Sequence, residues 1–114
     1  MQITICEFGE KGKIVILEGK LDIAGAQKIE LPIATVSGSR CDIIVDMTRV
    51  DFIASIGIRQ LIIAAKTVAR RSCKLILLDP CPLVTEVLVT AGLKDILPIA
   101  RSEDEARAML NATT

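Results

Sequence analysis

The sequence predicts an α/β fold in which a mixed, mostly parallel β-sheet carries about four α-helices. Three observations lead there. Hydrophobic residues make up 51% of the 114 residues but aromatics only 2%, so the core is built from Ile, Leu, Val and Ala, a composition that suits strands buried on both faces. Short β-branched or leucine-rich runs each precede a segment of helical length and spacing. The order strand, strand, helix, strand, helix, strand, helix, strand, helix, with short connections, then describes helices packed on a sheet. One domain over residues 1–114 is expected, large enough to bury roughly two thirds of the surface its unfolded chain exposes.

Ile3 and Ile5, then Lys13 to Leu17, read as two strands joined by Gly9-Glu10-Lys11-Gly12, a glycine-bracketed hairpin turn. Asp22 is placed to cap a helix from Ile23 to Thr35 with Ala24, Ala26, Ile29 and Ile33 as its apolar positions. Pro32 can neither donate to the carbonyl four residues earlier nor avoid clashing with it, so a kink or stop is expected near Glu30 or Leu31. Ser37-Gly38-Ser39 then reads as a loop. Ile43-Ile44-Val45 and Lys74 to Leu78 read as central parallel strands. Between them, Ile56 to Arg71 is apolar on nearly every side until Lys66, Arg70 and Arg71, and is expected to be a largely buried helix. Pro82 to Ala91 makes a helix stopped by Gly92, and Ile96-Leu97 a short strand. Ser102-Glu103-Asp104-Glu105 has the spacing of a capping box for a last helix to about Leu110. Ala112-Thr113-Thr114 offers nothing to bury and is expected to fray.

Fourteen basic residues balance fourteen acidic ones, and two Phe with no Trp or Tyr give no base-stacking platforms, so nucleic acid is not an expected partner. No apolar run reaches the length of a membrane span and MQITICEFGEKGK has no signal-peptide pattern, which leads to an expectation of a soluble, cytoplasmic protein without membrane insertion. Cys6, Cys41, Cys73 and Cys81 lie far apart without C-x-x-C pairs, and no His completes a mixed metal site. Reduced, mostly packed thiols and no cofactor are expected. The absence of His also removes the usual general base, so a Ser-His or Cys-His nucleophile cannot be assembled within the chain and no enzymatic activity is expected.

The most informative stretch runs from Val50 to Leu61, where a strand becomes a helix with a hydroxyl and a glycine at the junction. Helix N-termini present free N–H groups and the positive end of the dipole, so a phosphate on Ser55 would gain hydrogen bonds and charge attraction there. Ser55 equally fits a plain N-cap. Gly57 suits close packing or a tight helix entry, since a side chain there would thrust into whatever docks on the junction. Arg59 sits in the first helical turn, where a cation opposes the dipole; the placement suits an acidic partner group or a phosphate, and equally a solvated arginine merely tolerated there. Ile53, Ile56 and Ile58 supply apolar surface beside it.

Three segments of this chain resemble the STAS family, the sulphate-transporter and anti-sigma-factor-antagonist domains. Val15-Ile16-Leu17-Glu18-Gly19-Lys20-Leu21-Asp22 is similar to the family's strand ending in G-x-L-D. Ile43 to Ile58, with Asp46 and the stretch Phe52-Ile53-Ala54-Ser55-Ile56-Gly57-Ile58, is similar to its "strand, D, F-I-D-S-S-G-L" signature. Pro82 to Pro98 resembles its "P-x-V-x-x-V-L-x-x-x-G-L" helix and following strand. The resemblance implies a STAS fold, a binding surface around the signature, and partner choice governed by phosphorylation. It also brings Asp22 and Asp46, each a candidate simple cap, near the Ser55 loop. In the sigma-factor systems the partner is an anti-sigma factor that is a serine kinase. Ala54 replaces the family's aspartate and Ile56 the serine that precedes glycine, which leaves Ser55 as the motif's acceptor.

The function the resemblance implies is a non-enzymatic regulatory module whose partner-binding residues are Asp22, Asp46 and Ile53 to Arg59. Two alternatives remain: a small subunit docking on a transporter ATPase, and a nucleotide- or metabolite-sensing domain. The G-x-x-x-x-G-K and G-x-G-x-x-G loops that would favour the last are missing.

Overall fold

The computed structural model describes residues 1–9, 12–39 and 42–111. Its elements are β1 (Gln2–Phe8), β2 (Gly12–Leu21), α1 (Ile23–Gly38), β3 (Asp42–Ile53), α2 (Ser55–Ala69), β4 (Leu75–Leu78), α3 (Pro82–Thr90), β5 (Ile99–Ala100) and α4 (Glu103–Asn111). They form the α/β fold expected, a five-stranded mixed sheet in the order β1-β2-β3-β4-β5 with four helices. β1 pairs antiparallel with β2, from Gln2↔Glu18 to Phe8↔Gly12, and every later pairing is parallel. The hairpin turn, the state of Cys41 and the fraying of Ala112-Thr113-Thr114 lie wholly or partly outside the described residues.

Sequential parallel strands joined by crossovers of one hand put every crossover helix on the same side of the sheet. The larger core cluster accordingly holds Leu21 of β2, Ile29 of α1, Val45 of β3, Leu61 of α2 and Val84 of α3, whereas Ile44, Ile76, Leu78 and Ala106 of α4 form a smaller cluster on the opposite face.

β3 extends well past the Ile43-Ile44-Val45 run. Its core-facing residues Ile43, Val45, Met47, Val50 and Ile53 are spaced two, two, three and three apart, because β3 has one extra residue at each of two register shifts against β2. Each bulge keeps the apolar side on the helical face and conceals the period of two by which a strand is recognised.

Several other expectations are corrected. α1 does not stop at Glu30 or Leu31 but runs through Pro32 to Gly38, taking in Ser37 and Gly38 of the expected loop. The proline forfeits one bond to the carbonyl of Lys28, an exposed residue, while Ile33, Val36 and Ser37 beyond it are buried and the Ser37 hydroxyl donates to the Ile33 carbonyl at 2.8 Å. α2 is not largely buried: Gly57, Leu61, Ala64, Ala65 and Val68 form its buried stripe, while Ile56 and Ile63 are exposed because α2 lies in the outer layer. Ile96-Leu97 is not a strand. Leu97 fills the core from a turn, its N–H donating to the Leu93 carbonyl, and β5 begins only after Pro98, whose carbonyl accepts from Leu77 at 2.8 Å. Ser102 caps α4 by accepting from the Glu105 N–H, but the Glu105 carboxylate accepts from the Arg101 N–H rather than closing the box. Cys6 and Cys81 are free thiols, and Cys6 is exposed on β1 rather than packed.

Candidate functional site

The junction between β3 and α2 is fixed from below by the end of β2. The Ala54 N–H donates to the Leu21 carbonyl at 2.9 Å, and Ile53 pairs with Leu21 in the sheet. Gly57 is buried directly over Leu21: a Cβ there would stand 2.5 Å from Leu21 Cγ and 3.1 Å from the Leu21 carbonyl oxygen. The glycine thus answers to the protein's own core, not to a docked partner. Ile53 is buried too, and Ile58 half-buried against the same core. Neither Ile53 nor Gly57 offers a side chain to an outer surface.

What faces outward is narrower than the motif. Ser55, Ile56 and Arg59 are exposed and Ala54 is half-buried. The N-cap of α2 is Ala54, and no side chain caps the helix, so Ser55 is the first helical residue and not the N-cap that its residue type suggested. Its N–H and that of Ile56 belong to the first turn, which has no helical acceptors for them. The Gly57 and Ile58 N–H groups donate to the Ala54 carbonyl at 2.9 and 3.1 Å.

Asp22 lies next to this junction through Leu21, and its side chain is engaged, with Oδ1 accepting from the Gly25 N–H at 2.8 Å as the N-cap of α1. Asp46 lies elsewhere. It pairs with Ile16 of β2, five residues before Leu21 and so roughly 16 Å along that strand. It also alternates with Val45, sharing the α4 face with Ile44, opposite the face that bears α2. Nor does it close β3: its Oδ1 accepts from the Thr48 N–H at 3.0 Å and the Thr48 hydroxyl at 2.7 Å, holding the first bulge.

The ion pairs near the junction, Lys20 with Asp51 at 3.9 Å and Arg49 with Glu18 at 3.8 Å, are exposed and shape the surface more than they stabilise it. Among the described residues no group of three or more His, Cys, Asp or Glu is placed to hold a metal ion, and no helix is long and apolar enough to cross a membrane.

Sequence reasoning missed Ile23, Leu31 and Ile63, exposed aliphatic residues on α1 and α2. The available signal was helical spacing: Leu31 falls outside the stripe of Ala26, Ile29 and Ile33.

A sheet of this topology, with a crossover helix entered through a glycine-containing signature, defines a STAS-type domain. The STAS domain family model matches residues 7–106, and the chain belongs to that family. It is 31% identical over 96 residues to BtrV of Bordetella bronchiseptica, a protein assigned as an anti-sigma factor antagonist, with 83% of each chain covered. Among solved structures it is similar in fold to the anti-sigma factor antagonist SpoIIAA of Bacillus. The unphosphorylated form gives a TM-score of 0.80 at 21% identity over 99% of this chain and 100% of that one. The phosphorylated form gives 0.74 at 23% identity, covering 96% and 100%. The same fold occurs within the murine anion transporter Slc26a9, with a TM-score of 0.74, 22% identity, and coverage of 90% of this chain but 18% of the transporter.

Proposed function

We propose that this STAS protein is a non-enzymatic, cytoplasmic regulator that captures an anti-sigma factor of the serine-kinase type, and that phosphorylation of Ser55 releases it. The observation that carries this reading is the position of Ser55. It is exposed on the first turn of α2, its hydroxyl is not spent on capping, and Ile56 and Arg59 flank it on the same outer surface. Phosphorylation adds a charge of about −1.5 to −2 there; within a packed interface that charge must be desolvated or repelled, while in the free protein the open N–H groups of α2 help to accommodate it. The similarity to BtrV and to SpoIIAA, which is known in a phosphorylated form, supports the reading. Ile56 and Arg59 would form the contact surface, with Ala54 at its edge. Ile53, Gly57 and Ile58 would hold the loop in shape, and Asp22 would fix the start of α1 beneath it.

Tagged protein expressed in its native host tests this, with co-purified proteins identified and the intact mass of the bait measured. The expected result is recovery of a histidine-kinase-like ATPase together with a bait fraction heavier by one phosphate at Ser55, a fraction that vanishes in Ser55→Ala. Recovery of a transporter ATPase with unmodified bait overturns the proposal in favour of a docking subunit.

A further inference from the structure

Four of the exposed large aliphatic side chains belong to α1 and α2: Ile23 at 64% exposure, Leu31 at 75%, Ile56 at 39% and Ile63 at 54%. On each helix the spacing is three or four residues, through Gln27 on α1 and Gln60 on α2, so each set forms a continuous row. Between the helices run two cavities of about 380 and 300 Å³ that share Glu30, Gln60 and Ile63, which makes them one groove. Gln60 lies along it, its Nε2 donating to the Ala26 carbonyl at 2.7 Å and its buried Oε1 meeting no donor among the described residues.

Glu30 from α1 and Arg59 from α2 line the same end of this groove, and among the described residues neither has an ion-pair partner. From this pattern we infer that the groove is the contact surface of a two-fold symmetric homodimer. A two-fold axis running along the groove sets each wall against the opposite wall of the second copy, so a residue on one wall meets the residue facing it from the other wall of the partner. Glu30 then faces Arg59 of the partner subunit, twice per dimer, and Ile56 and Ile63 in the groove are covered, while Ile23 and Leu31 lie outside its lining. The formal net charge of zero removes the long-range repulsion that would keep two copies apart. Ile56 and Arg59 also belong to the proposed capture surface, so dimerisation and partner capture exclude each other; the test contains neither kinase nor anti-sigma factor, so the two readings fail separately.

Sedimentation equilibrium of the full chain over micromolar to near-millimolar concentrations provides that test. Wild type shows a concentration-dependent dimer. Ile63→Asp leaves a monomer whose circular dichroism matches wild type and whose thermal midpoint matches that of wild type at concentrations where both are monomeric, because the side chain is already half in water in the monomer. Glu30→Arg alone and Arg59→Glu alone each weaken dimerisation by roughly tenfold or more, since two attractions become two repulsions. The double variant Glu30→Arg with Arg59→Glu recovers most of the loss, as expected when the two residues meet across copies of the same chain. A wild type monomeric at every concentration overturns the inference and leaves the groove to a different protein or an apolar ligand. A dimer indifferent to these substitutions, or a double variant no better than the singles, also overturns it.

Discussion

At the scale of single residues, the signature separates into side chains that hold the junction and side chains that face outward. Gly57 belongs to the first group. Leu21 is fully buried beneath it and its carbonyl is tied to the Ala54 N–H, so neither can withdraw from an added methyl. Gly57→Ala is therefore expected to destabilise the fold by about 1–3 kcal/mol, an overpacking cost, whereas Ile56→Ala at the exposed neighbouring position changes stability by about 0.5 kcal/mol or less. Urea denaturation with a common slope for the variants measures both; equal midpoints for the two would refute the assigned packing role. The sequence alone pointed to a glycine required by geometry, but not to its pressing on Leu21, because the two are 36 positions apart and meet only through the pairing of β2 with β3. Asp46 shows the converse. Its motif position suggested proximity to Ser55, and strand alternation carries it to the other face of the sheet.

At the scale of elements, α2 begins without a side-chain cap, since Ala54 occupies the cap position in extended backbone geometry, φ −100° and ψ 167°. An aspartate there would accept from a free first-turn N–H and place a negative charge at the positive end of the helix. Ala54→Asp is expected to stabilise the protein by about 1 kcal/mol, read as a higher urea midpoint that falls back toward wild type when the carboxylate is protonated. An unchanged midpoint at neutral pH would show that the cap geometry is not available. Element identities were legible from spacing and composition; several boundaries were not. The Ile43-Ile44-Val45 run marks only the start of β3 because two bulges break the alternation beyond it, and Pro32 predicts a kink or stop in α1 only while its local cost is weighed without the burial of Ile33, Val36 and Ser37 beyond it. In both cases packing outweighed a local rule.

At the scale of the whole molecule, the two faces of the sheet are unequally covered. α1, α2 and α3 share the larger core, while the nine-residue α4 covers the other face with Ala106, Met109 and Leu110 against Ile44, Ile76 and Leu78. With so little apolar anchorage, α4 is expected to open locally before the rest, so its amides should exchange with solvent faster than those of β3 or α2 under native conditions. Hydrogen exchange followed by NMR or mass spectrometry checks this, and uniform protection across all three elements would contradict it.

By itself the sequence determined the element order, the parallel aliphatic core, the family resemblance and the place of Ser55 at a strand-to-helix junction, because those depend on residue type and short-range spacing. The tertiary structure decided which motif residues face outward, that Asp46 lies on the far face, and that α1 and α2 leave an aliphatic groove with Glu30 and Arg59 on its walls. Those outcomes depend on strand register, bulges and helix layering, which bring together residues tens of positions apart and which no local pattern encodes.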